Sequence, residues 1–480
     1  MTALVAIFFL FPVAMLSYSI YRYIIKWRSP FKQIGFTIQA ILVLAGLVMF
    51  YGFVFTQPND RGMFIIIVSS AIVSILYSIN AFELIARKWR KPLNWLVPLL
   101  YSVFTISLFF FFFLTTRRWG ELKENNPDLL DFAIGGFFTL MATCVIIAVF
   151  QLLQDVVWIG KLIPKLRKKK TTLGGMDMDR STFLTKTGLI LGGLVFGNFL
   201  WGMTKGKFGW RILEEELFFS NLPDEFDGTT VVQISDLHLG SFNNNFEPLS
   251  EAVNLINELE PDYICFTGDL VNTYHTEAED WIPVFNKLKA KEGKFSILGN
   301  HDYGYYREDE NETEEETAAA EAKCRAGVIE MNKKMGFDPL INEHRILKKA
   351  GASMAMVGVE NWGESHWFPK AGDIKLATEG MDKNLFSVLL SHDPTHWDAH
   401  IVGKENIDLT LSGHTHGAQM GLRIPGVLEI SPAALMFKRW AGLYEEGKQR
   451  LYINRGMGYL MIPGRIGMPP EITKITLRKG

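Results

Sequence analysis

The sequence has little cysteine and little net charge, and both shortages exclude classes of protein. Its 480 residues contain three cysteines, Cys144, Cys265 and Cys324. They fall in an apolar run, a predicted strand and a predicted helix, so they do not form a disulfide framework and do not define the compartment. The formal net charge of −2 gives no reason to expect a nucleic-acid partner.

Charge is also scarce in long stretches of the first part of the chain. Runs of about 20 apolar residues with few charges are typical of transmembrane helices. Five such spans are predicted, over residues 3–25, 34–55, 63–86, 93–116 and 132–159. Ionisable residues are missing from the middle of these spans, so an ion or proton pathway has little support. The first span has no basic start, so we do not expect a cleaved signal peptide.

Lysine and arginine alternate between the predicted loops and set the expected orientation. They are concentrated after the first, third and fifth spans, above all in residues 165–170. Because cytoplasmic loops are rich in Lys and Arg, this pattern puts the N-terminus outside and the cluster 165–170 inside. A shorter glycine-rich stretch, 187–203, is interpreted as a sixth span that carries the remaining chain outward. The alternative is a helix that lies in the interface or packs on the soluble domain.

The hydrophobic pattern changes near residue 212, and we therefore divide the chain into three parts. These are a five-span transmembrane region (1–160), a basic cytoplasmic linker with the sixth span (161–211) and a soluble domain (212–480). In the soluble part, helix-like segments alternate with short apolar runs at 230–235, 263–267, 295–298, 354–359, 386–390 and 408–411. This alternation predicts an α/β domain that follows an α-helical transmembrane bundle.

Five short polar motifs follow predicted strands of the soluble domain. They are Asp236-x-His238, Gly268-Asp269, Gly299-Asn300-His301-Asp302, Ser391-His392 and Gly413-His414-Thr415-His416. Because open α/β sheets place their sites at the carboxyl ends of strands, we expect the five loops to converge on one edge. Five of the ten histidines lie in these motifs, which unrelated core histidines would not explain.

The motifs supply enough metal ligands for two divalent cations, provided that one carboxylate bridges them. The seven candidates are Asp236, His238, Asp269, Asn300, His392, His414 and His416. Mixed nitrogen and oxygen donors suit manganese, iron or zinc better than magnesium or calcium. Two such ions clamp the attacking and leaving oxygens of a phosphoryl displacement. The sequence therefore predicts a phosphoester substrate.

The order of these motifs resembles that of the calcineurin-like metallophosphoesterase superfamily: D-x-H, GD, GNH-D/E, H and GH-x-H. The likeness covers roughly residues 221–477 and is strongest to the branch with the motif GHTHGGQ. The corresponding residues here are 413–419, in which Ala418 replaces the second glycine of the GG pair. Asn272 stands where many relatives have Asp, at a position that is not a ligand in the family pattern. We recognise no resemblance in the five N-terminal spans.

The resemblance implies a layered α/β sandwich with a dinuclear site at one rim. It divides the ligands into one set of Asp236, His238 and His416, a second set of Asn300, His392 and His414, and Asp269 as the bridge. His301 would stabilise the transition state or protonate the leaving oxygen, with Asp302 orienting its ring.

An apolar segment after the last motif is a candidate substrate-binding surface. Its aromatic and cationic side chains are Phe437, Lys438, Arg439 and Trp440. Apolar groups beside cations can accept an acyl chain and a phosphate together, although ordinary core and docking surface would explain the same residues. Only a short link joins 187–203 to the first motif, which keeps the site near the membrane.

We therefore predict a membrane-anchored phosphoesterase, with its catalytic domain outside, that acts on a lipid-linked or membrane-proximal phosphoester. The resemblance favours a lipid, because this branch includes hydrolases of lipid-linked phosphoesters. One alternative is a cytoplasmic-facing nucleotide phosphodiesterase, which requires that 187–203 does not cross the membrane. The other is a transporter or sensor with a non-catalytic metal-binding domain, against which the complete ligand set argues.

Overall fold

The computed structural model describes residues 61–86, 89–166, 177–306, 313–365, 368–424 and 428–480. The first two predicted spans, 3–25 and 34–55, and most of the basic cluster lie outside these residues. The chain separates into two compact units. One consists of Met1–Glu124 and Gly136–Gly197, and the other of Asn125–Gly135 and Asn198–Gly480.

The described N-terminal part is helical. Its helices are α1 (Arg61–Ala86), α2 (Leu93–Thr116), α3 (Trp119–Asn125), α4 (Pro127–Leu166) and α5 (Asp177–Thr204). Within the described residues, three segments are long and apolar enough to cross a membrane: Leu93–Thr116, Pro127–Gln154 and Thr182–Thr204. Helix α1 covers the third predicted span, and its apolar segment Ser74–Ala86 is shorter than these three.

Two helices differ from the predicted spans in their bounds. Helix α4 begins at Pro127 rather than 132, because proline suits the first turn of a helix, where Asp128 also complements the helix dipole. Helix α5 begins well before 187, so its apolar segment reaches 23 residues. The predicted sixth span, 187–203, is short for a transmembrane helix, but the apolar segment of α5 that contains it is long enough to cross a membrane.

The glycines of α5 permit close packing against α4. A Cβ atom at Gly192 would lie 2.6 Å from Ile147 Cγ1, and one at Gly188 would lie 2.7 Å from Phe150 Cβ. Helices in membranes approach closely where small residues line the contact. The glycine content of this segment thus reflects helix packing rather than a break in the helix.

In the described part of the C-terminal domain, the strands form two six-stranded sheets and a separate hairpin. The first sheet has the order β1-β14-β2-β3-β4-β5, and the second has the order β12-β13-β9-β8-β7-β6. The strands are β1 (Arg211–Phe219), β2 (Thr230–Ile234), β3 (Tyr263–Phe266), β4 (Gly293–Ser296), β5 (Asp338–Pro339), β6 (Glu343–Lys349), β7 (Ala352–Gly358), β8 (Ser387–Leu390), β9 (Leu409–Ser412), β10 (Leu422–Ile424), β11 (Leu428–Ile430), β12 (Gly442–Glu446), β13 (Gln449–Ile453) and β14 (Glu471–Lys479).

Successive side chains along each strand point to opposite faces of the sheet, and this alternation divides the core into layers. Val231, Cys265 and Phe295 of the first sheet join Met354, Val388 and Leu409 of the second in one buried cluster between the sheets. Their neighbours Val232 and Ile264 point to the opposite face, into a core with helices α6 (Phe246–Glu258) and α8 (Glu314–Lys334). The outer face of the second sheet packs on α9 (Ile374–Ala377), and the short helix α7 (Ile282–Phe285) joins the first core. The predicted fold class, a helical bundle followed by a layered α/β sandwich, is confirmed.

Candidate metal centre

The five motifs lie at the carboxyl ends of parallel strands from both sheets. Strands β2, β3 and β4 are parallel neighbours in the first sheet, and β8 and β9 are parallel neighbours in the second. Because the two sheets face each other, the loops that follow these five strands meet at one rim. The structure brings all seven candidate ligands together there.

The first group of donors combines two imidazoles and two carboxylates. Nε2 of His238 lies 3.0 Å from Nε2 of His416, which lies 3.2 Å from Oδ1 of Asp236. Oδ2 of Asp269 is 3.6 Å from the His238 nitrogen. All four residues are buried, and their ligand atoms lie within 4.8 Å of one another.

The second group shares Asp269 with the first. Oδ2 of Asp269 lies 3.2 Å from Nε2 of His392. Oδ1 of Asn300 lies 3.1 Å from the same nitrogen and 2.7 Å from Nδ1 of His414. One carboxylate oxygen thus faces both groups, which is the arrangement expected of a bridging ligand.

The backbone of these loops is strained at the ligands themselves. Left-handed φ angles occur at Asp236, His238, Asp269, His414 and His416. A non-glycine residue in this region costs about 1–3 kcal/mol and persists where the surroundings enforce it, commonly at functional sites. Two glycines provide the necessary space: a Cβ at Gly299 would lie 2.2 Å from Asp269 Oδ1, and one at Gly413 would overlap Ser235 Oγ.

Burial and neighbouring charges shift the pKa values of the donors in different directions: burial opposes protonation of His392, but Asp269 raises its pKa to about 10. Burial lowers the pKa of His238 to about 3 and holds the pKa of His416 well below its usual range. Burial thus favours the neutral form of both rings, which is the form that binds metal, and their Nε2 atoms lie 3.0 Å apart. Burial opposes ionisation of Asp269, but His392 and His301 hold the pKa of its carboxyl well below the usual value.

Outer contacts orient two of the imidazoles. Nδ1 of His392 donates to the carbonyl of Thr267 at 2.7 Å, which directs Nε2 toward Asp269 and Asn300. Nε2 of His414 lies 3.5 Å from Oδ2 of Asp393, so Nδ1 is the atom that faces Asn300. Such second partners fix the tautomer and the direction of a metal-binding histidine.

His301 lies at the partly exposed side of the centre. Its backbone N–H donates to Oδ1 of Asp269 at 2.8 Å, and its ring stacks on Tyr306 with centroids 4.2 Å apart. Nδ1 donates to the carbonyl of Asn272 at 2.7 Å, which leaves Nε2 for a ligand. Because the contact uses the backbone of Asn272, the Asp-to-Asn difference from many relatives does not affect it.

Asp302 has a different position from the one expected. Instead of orienting His301, its buried carboxylate accepts backbone N–H groups of Gly299 and Asp269 at 2.9 Å and of Leu270 at 2.8 Å. The physical reason is that a turn carrying buried ligands has N–H groups that need acceptors. Asp302 therefore positions the loop of Asp269, and the Asn272 carbonyl orients His301.

The four candidate substrate contacts separate into two kinds. The Phe437 ring meets His414 edge to face, with centroids 5.5 Å apart, and the Trp440 carbonyl accepts from Thr415 Oγ1. Lys438 lies 3.0 Å from Asp398, and Arg439 pairs with both Asp398 and Glu446. Both cations therefore already pair with carboxylates, and the assignment of these four residues to substrate binding stays a prediction.

Three residues of the site were not anticipated. Asp393 contacts His414, Tyr306 OH accepts from Asn300 Nδ2 at 2.9 Å, and the Phe368 ring lies 4.8 Å from that of His414. Asp393 and Tyr306 lie next to or close after predicted motifs, so adjacency was their only signal. Phe368 follows no motif, and only the fold brings it to the centre.

Comparison with known proteins gives a match for each part of the chain. Residues 60–207 match the family described as "Probable Calcineurin-like phosphoesterase, transmembrane domain", and residues 229–418 match "Calcineurin-like phosphoesterase". The second match confirms the resemblance inferred from the motifs. The first gives a family to residues in which the sequence by itself resembled none.

Individual relatives are similar over half to three quarters of this chain. An uncharacterized metallophosphoesterase of Bacillus subtilis is 33% identical over 271 residues, which are 55% of this chain and 84% of the relative. A transmembrane protein with metallophosphoesterase domain from Danio rerio is 26% identical over 75% of this chain and 76% of its own length. The UDP-2,3-diacylglucosamine pyrophosphatase LpxG of Chlamydia trachomatis is 28% identical over 52% of this chain and 85% of its own length.

Proposed function

Because the chain belongs to the calcineurin-like metallophosphoesterase family, we propose that this metal-dependent phosphoesterase hydrolyses a phosphoester or pyrophosphate bond of a lipid-linked substrate at the membrane surface. One residue carries this proposal. The backbone N–H of Arg465 donates to the carbonyl of Gly202 at 3.1 Å, and its buried guanidinium donates to the carbonyl of His416 at 3.2 Å. A single residue, through its backbone and its side chain, thus joins the end of the apolar segment Thr182–Thr204 to a proposed metal ligand.

The proposed chemistry assigns the donors to two cations. Asp236, His238 and His416 would hold one, Asn300, His392 and His414 the other, and Asp269 both. Bound divalent cations polarise phosphoryl oxygens and supply a nucleophile at neutral pH. The nitrogen and oxygen donor set supports manganese, iron or zinc.

His301 and Asp302 have separate parts in this proposal. The His301 ring, held by Asn272 and Tyr306, presents Nε2 at the open side of the centre, where it protonates the leaving oxygen or stabilises the transition state. Asp302 does not touch the substrate. It holds the turn of Asp269 through backbone N–H groups, and through Asp269 it positions both cations.

Aromatic side chains support an amphiphilic substrate. Phe368 and Phe437 both meet the ring of His414 edge to face, so one wall of the centre is apolar. A half-buried apolar wall beside polar groups suits a ligand with an acyl chain and a charged head. The name of the Chlamydia trachomatis relative, a pyrophosphatase of a diacylated sugar nucleotide, supports the same substrate class by analogy.

We predict that the full-length protein, supplied with manganese, cleaves a diacyl lipid pyrophosphate faster than its water-soluble headgroup. Replacing Phe368 and Phe437 together by alanine should lower kcat/KM for the lipid by about tenfold or more, since losing the lipid contacts of two half-buried rings costs over about 1.4 kcal/mol. A small aryl phosphoester should react at the parental rate, and Leu376→Ala, at an exposed leucine of α9, serves as control.

Equal rates on lipid and headgroup, unchanged in the double variant, would reject a lipid substrate. A preference for soluble nucleotides would support the nucleotide phosphodiesterase instead.

We also propose that the catalytic domain faces the outside. Two helix ends contact its residues: Asn243 Nδ2 donates to Asp128 at the start of α4 at 3.0 Å, and Gly464 packs against Met203 near the end of α5. Two spans that run in opposite directions bring these ends to one side of a membrane. The basic residues 165–170 lie between the two spans, on the other side, which the Lys and Arg rule makes cytoplasmic.

Reporter fusions test this orientation on the complete chain. An alkaline phosphatase joined after Gly480 should be active, because it folds only outside, whereas a green fluorescent protein there should stay dark. A fusion after Leu166, beside the basic cluster, should give the reverse pair of results. A fluorescent protein that works after Gly480, together with an inactive phosphatase, would put the domain on the cytoplasmic face.

A further inference from the structure

The hairpin β10–β11 turns its charged face toward the domain. Arg423 and Glu429 lie directly opposite each other in its register. Glu429 accepts from the guanidinium of Arg455 at 3.0 Å, and the Arg455 side chain is only 4% exposed. Arg455 also pairs with the buried Glu471. An ion network centred on the buried Arg455 therefore holds this face of the hairpin.

The other face of the hairpin is apolar and exposed. Leu422, Leu428 and Ile430 are all exposed, and they alternate with Arg423 and Glu429 along the two strands, so they share the opposite face. A hairpin on a soluble protein normally has the reverse arrangement, with its apolar face on the core and its polar face in water. The outward face of β10–β11 therefore suits an apolar environment.

Further apolar side chains extend this face. Leu435 and Met436, in the turn that follows the hairpin, are 90% and 75% exposed, and Met461 is 79% exposed. We call these six residues the apolar rim: Leu422, Leu428, Ile430, Leu435, Met436 and Met461. The rim adjoins the metal centre, because Ser431 Oγ donates to the carbonyl of Gly417, the residue after His416.

Hydrogen bonds connect the rim to the end of a membrane-crossing segment. The N–H of Gly421, next to Leu422, donates to the carbonyl of Ile466 at 2.9 Å, and the N–H of the neighbouring Arg465 donates to the carbonyl of Gly202. Gly202 belongs to the apolar segment Thr182–Thr204. Met461 lies in the same loop as Arg465. The rim is therefore held beside the end of that apolar segment.

We propose that the apolar rim inserts into the interface of the lipid bilayer, so that the catalytic domain lies on the membrane with its metal centre beside the surface. Apolar faces of this kind enter the boundary between headgroups and acyl chains to a depth of about 5–10 Å. The bilayer is the favoured occupant, because the rim continues from the end of a span and carries no charged side chain. The inference rests on this span and does not depend on the identity of the substrate.

Fluorescence quenching by lipid tests the rim in the complete protein. Leu428→Cys and Met461→Cys are each labelled with a small environment-sensitive fluorophore, for which the buried Cys144, Cys265 and Cys324 give little background. The protein is reconstituted into phosphatidylcholine discs with one copy each. Lipids brominated about 5–10 Å below the headgroups, the depth of interfacial insertion, should lower the emission at both positions by about twofold or more.

A matched position provides the control. Lys448 is exposed in the turn between β12 and β13, at the edge opposite the metal centre, and a label on Lys448→Cys should keep its emission with brominated lipid and lose it with aqueous iodide. Each labelled variant must hydrolyse an aryl phosphoester at the parental rate, and Leu435→Cys replaces any that does not. Rim labels that behave like the Lys448 label would overturn the proposal. Rim labels that neither quencher reaches would overturn it too, because another protein surface would then cover the rim.

Discussion

Replacing Asp269 by alanine is expected to remove metal from both halves of the centre and to abolish hydrolysis. Its Oδ2 atom faces His392 at 3.2 Å and His238 at 3.6 Å, so the proposed sites share this one ligand. We expect the rate on an aryl phosphoester to fall by more than about 10⁴-fold, the upper limit of what one acid–base group supplies. Elemental analysis of the purified variant should find less metal per chain than a variant that loses one site alone would keep.

Two variants separate loss of the ligand from loss of the fold. Asp269→Asn keeps an oxygen that can accept the N–H of His301 but removes the charge, and it should lose metal and activity while unfolding near the parental temperature. Asp280→Ala, at an exposed carboxylate, should change neither. Full metal content and full activity in Asp269→Ala would show that the dinuclear assignment is wrong.

Replacing His301 by alanine is expected to lower the rate by about 10²–10⁴-fold, the usual contribution of a positioned acid–base group, with nearly normal metal content. The seven proposed ligands are complete without its ring, and its Nδ1 is already bonded to the Asn272 carbonyl. The atom that remains, Nε2, is available for substrate. The rate is measured at saturating manganese, and the metal content on the same preparation.

The neighbour Tyr306 provides the matched comparison. Tyr306→Phe keeps the ring that stacks on His301 but removes the hydroxyl that accepts from Asn300. Its rate should fall much less than that of His301→Ala, since the proton donor stays in place. If metal is lost in step with activity in His301→Ala, His301 is a ligand and its assigned role is incorrect.

Several features of the fold and of the site were predictable from local sequence. The apolar runs 230–235, 263–267 and 386–390 correspond to β2, β3 and β8, because a strand buried on both faces reads as a short continuous apolar segment. The polar motifs follow those runs directly. The carboxyl ends of parallel strands lie at one edge of a sheet, which explains why the loops converge within each sheet. The packing of the two sheets, which brings both sets of loops to one rim, was not predictable from local sequence.

Other features depend on pairing between distant parts of the chain. Strand β14 lies between β1 and β2, and no local pattern in Glu471–Lys479 indicates that partner. Lys438 and Arg439 both pair with Asp398, which lies 40 positions before Lys438 in the sequence. Arg439 also pairs with Glu446. The role of Asp302 depends on backbone N–H groups of another strand's loop, which have no signature in sequence.

The sequence by itself determined the chemistry of this protein, because metal binding requires particular side chains and the strands deliver them in order. It also determined the membrane character, since about 20 apolar residues are enough to identify a span. Only the tertiary structure decided which surfaces face water. The alternation of apolar and charged residues in β10 and β11 defines two faces but does not say which one is buried. The ion pair between Glu429 and Arg455 holds the charged face against the domain, so the apolar face lies outside.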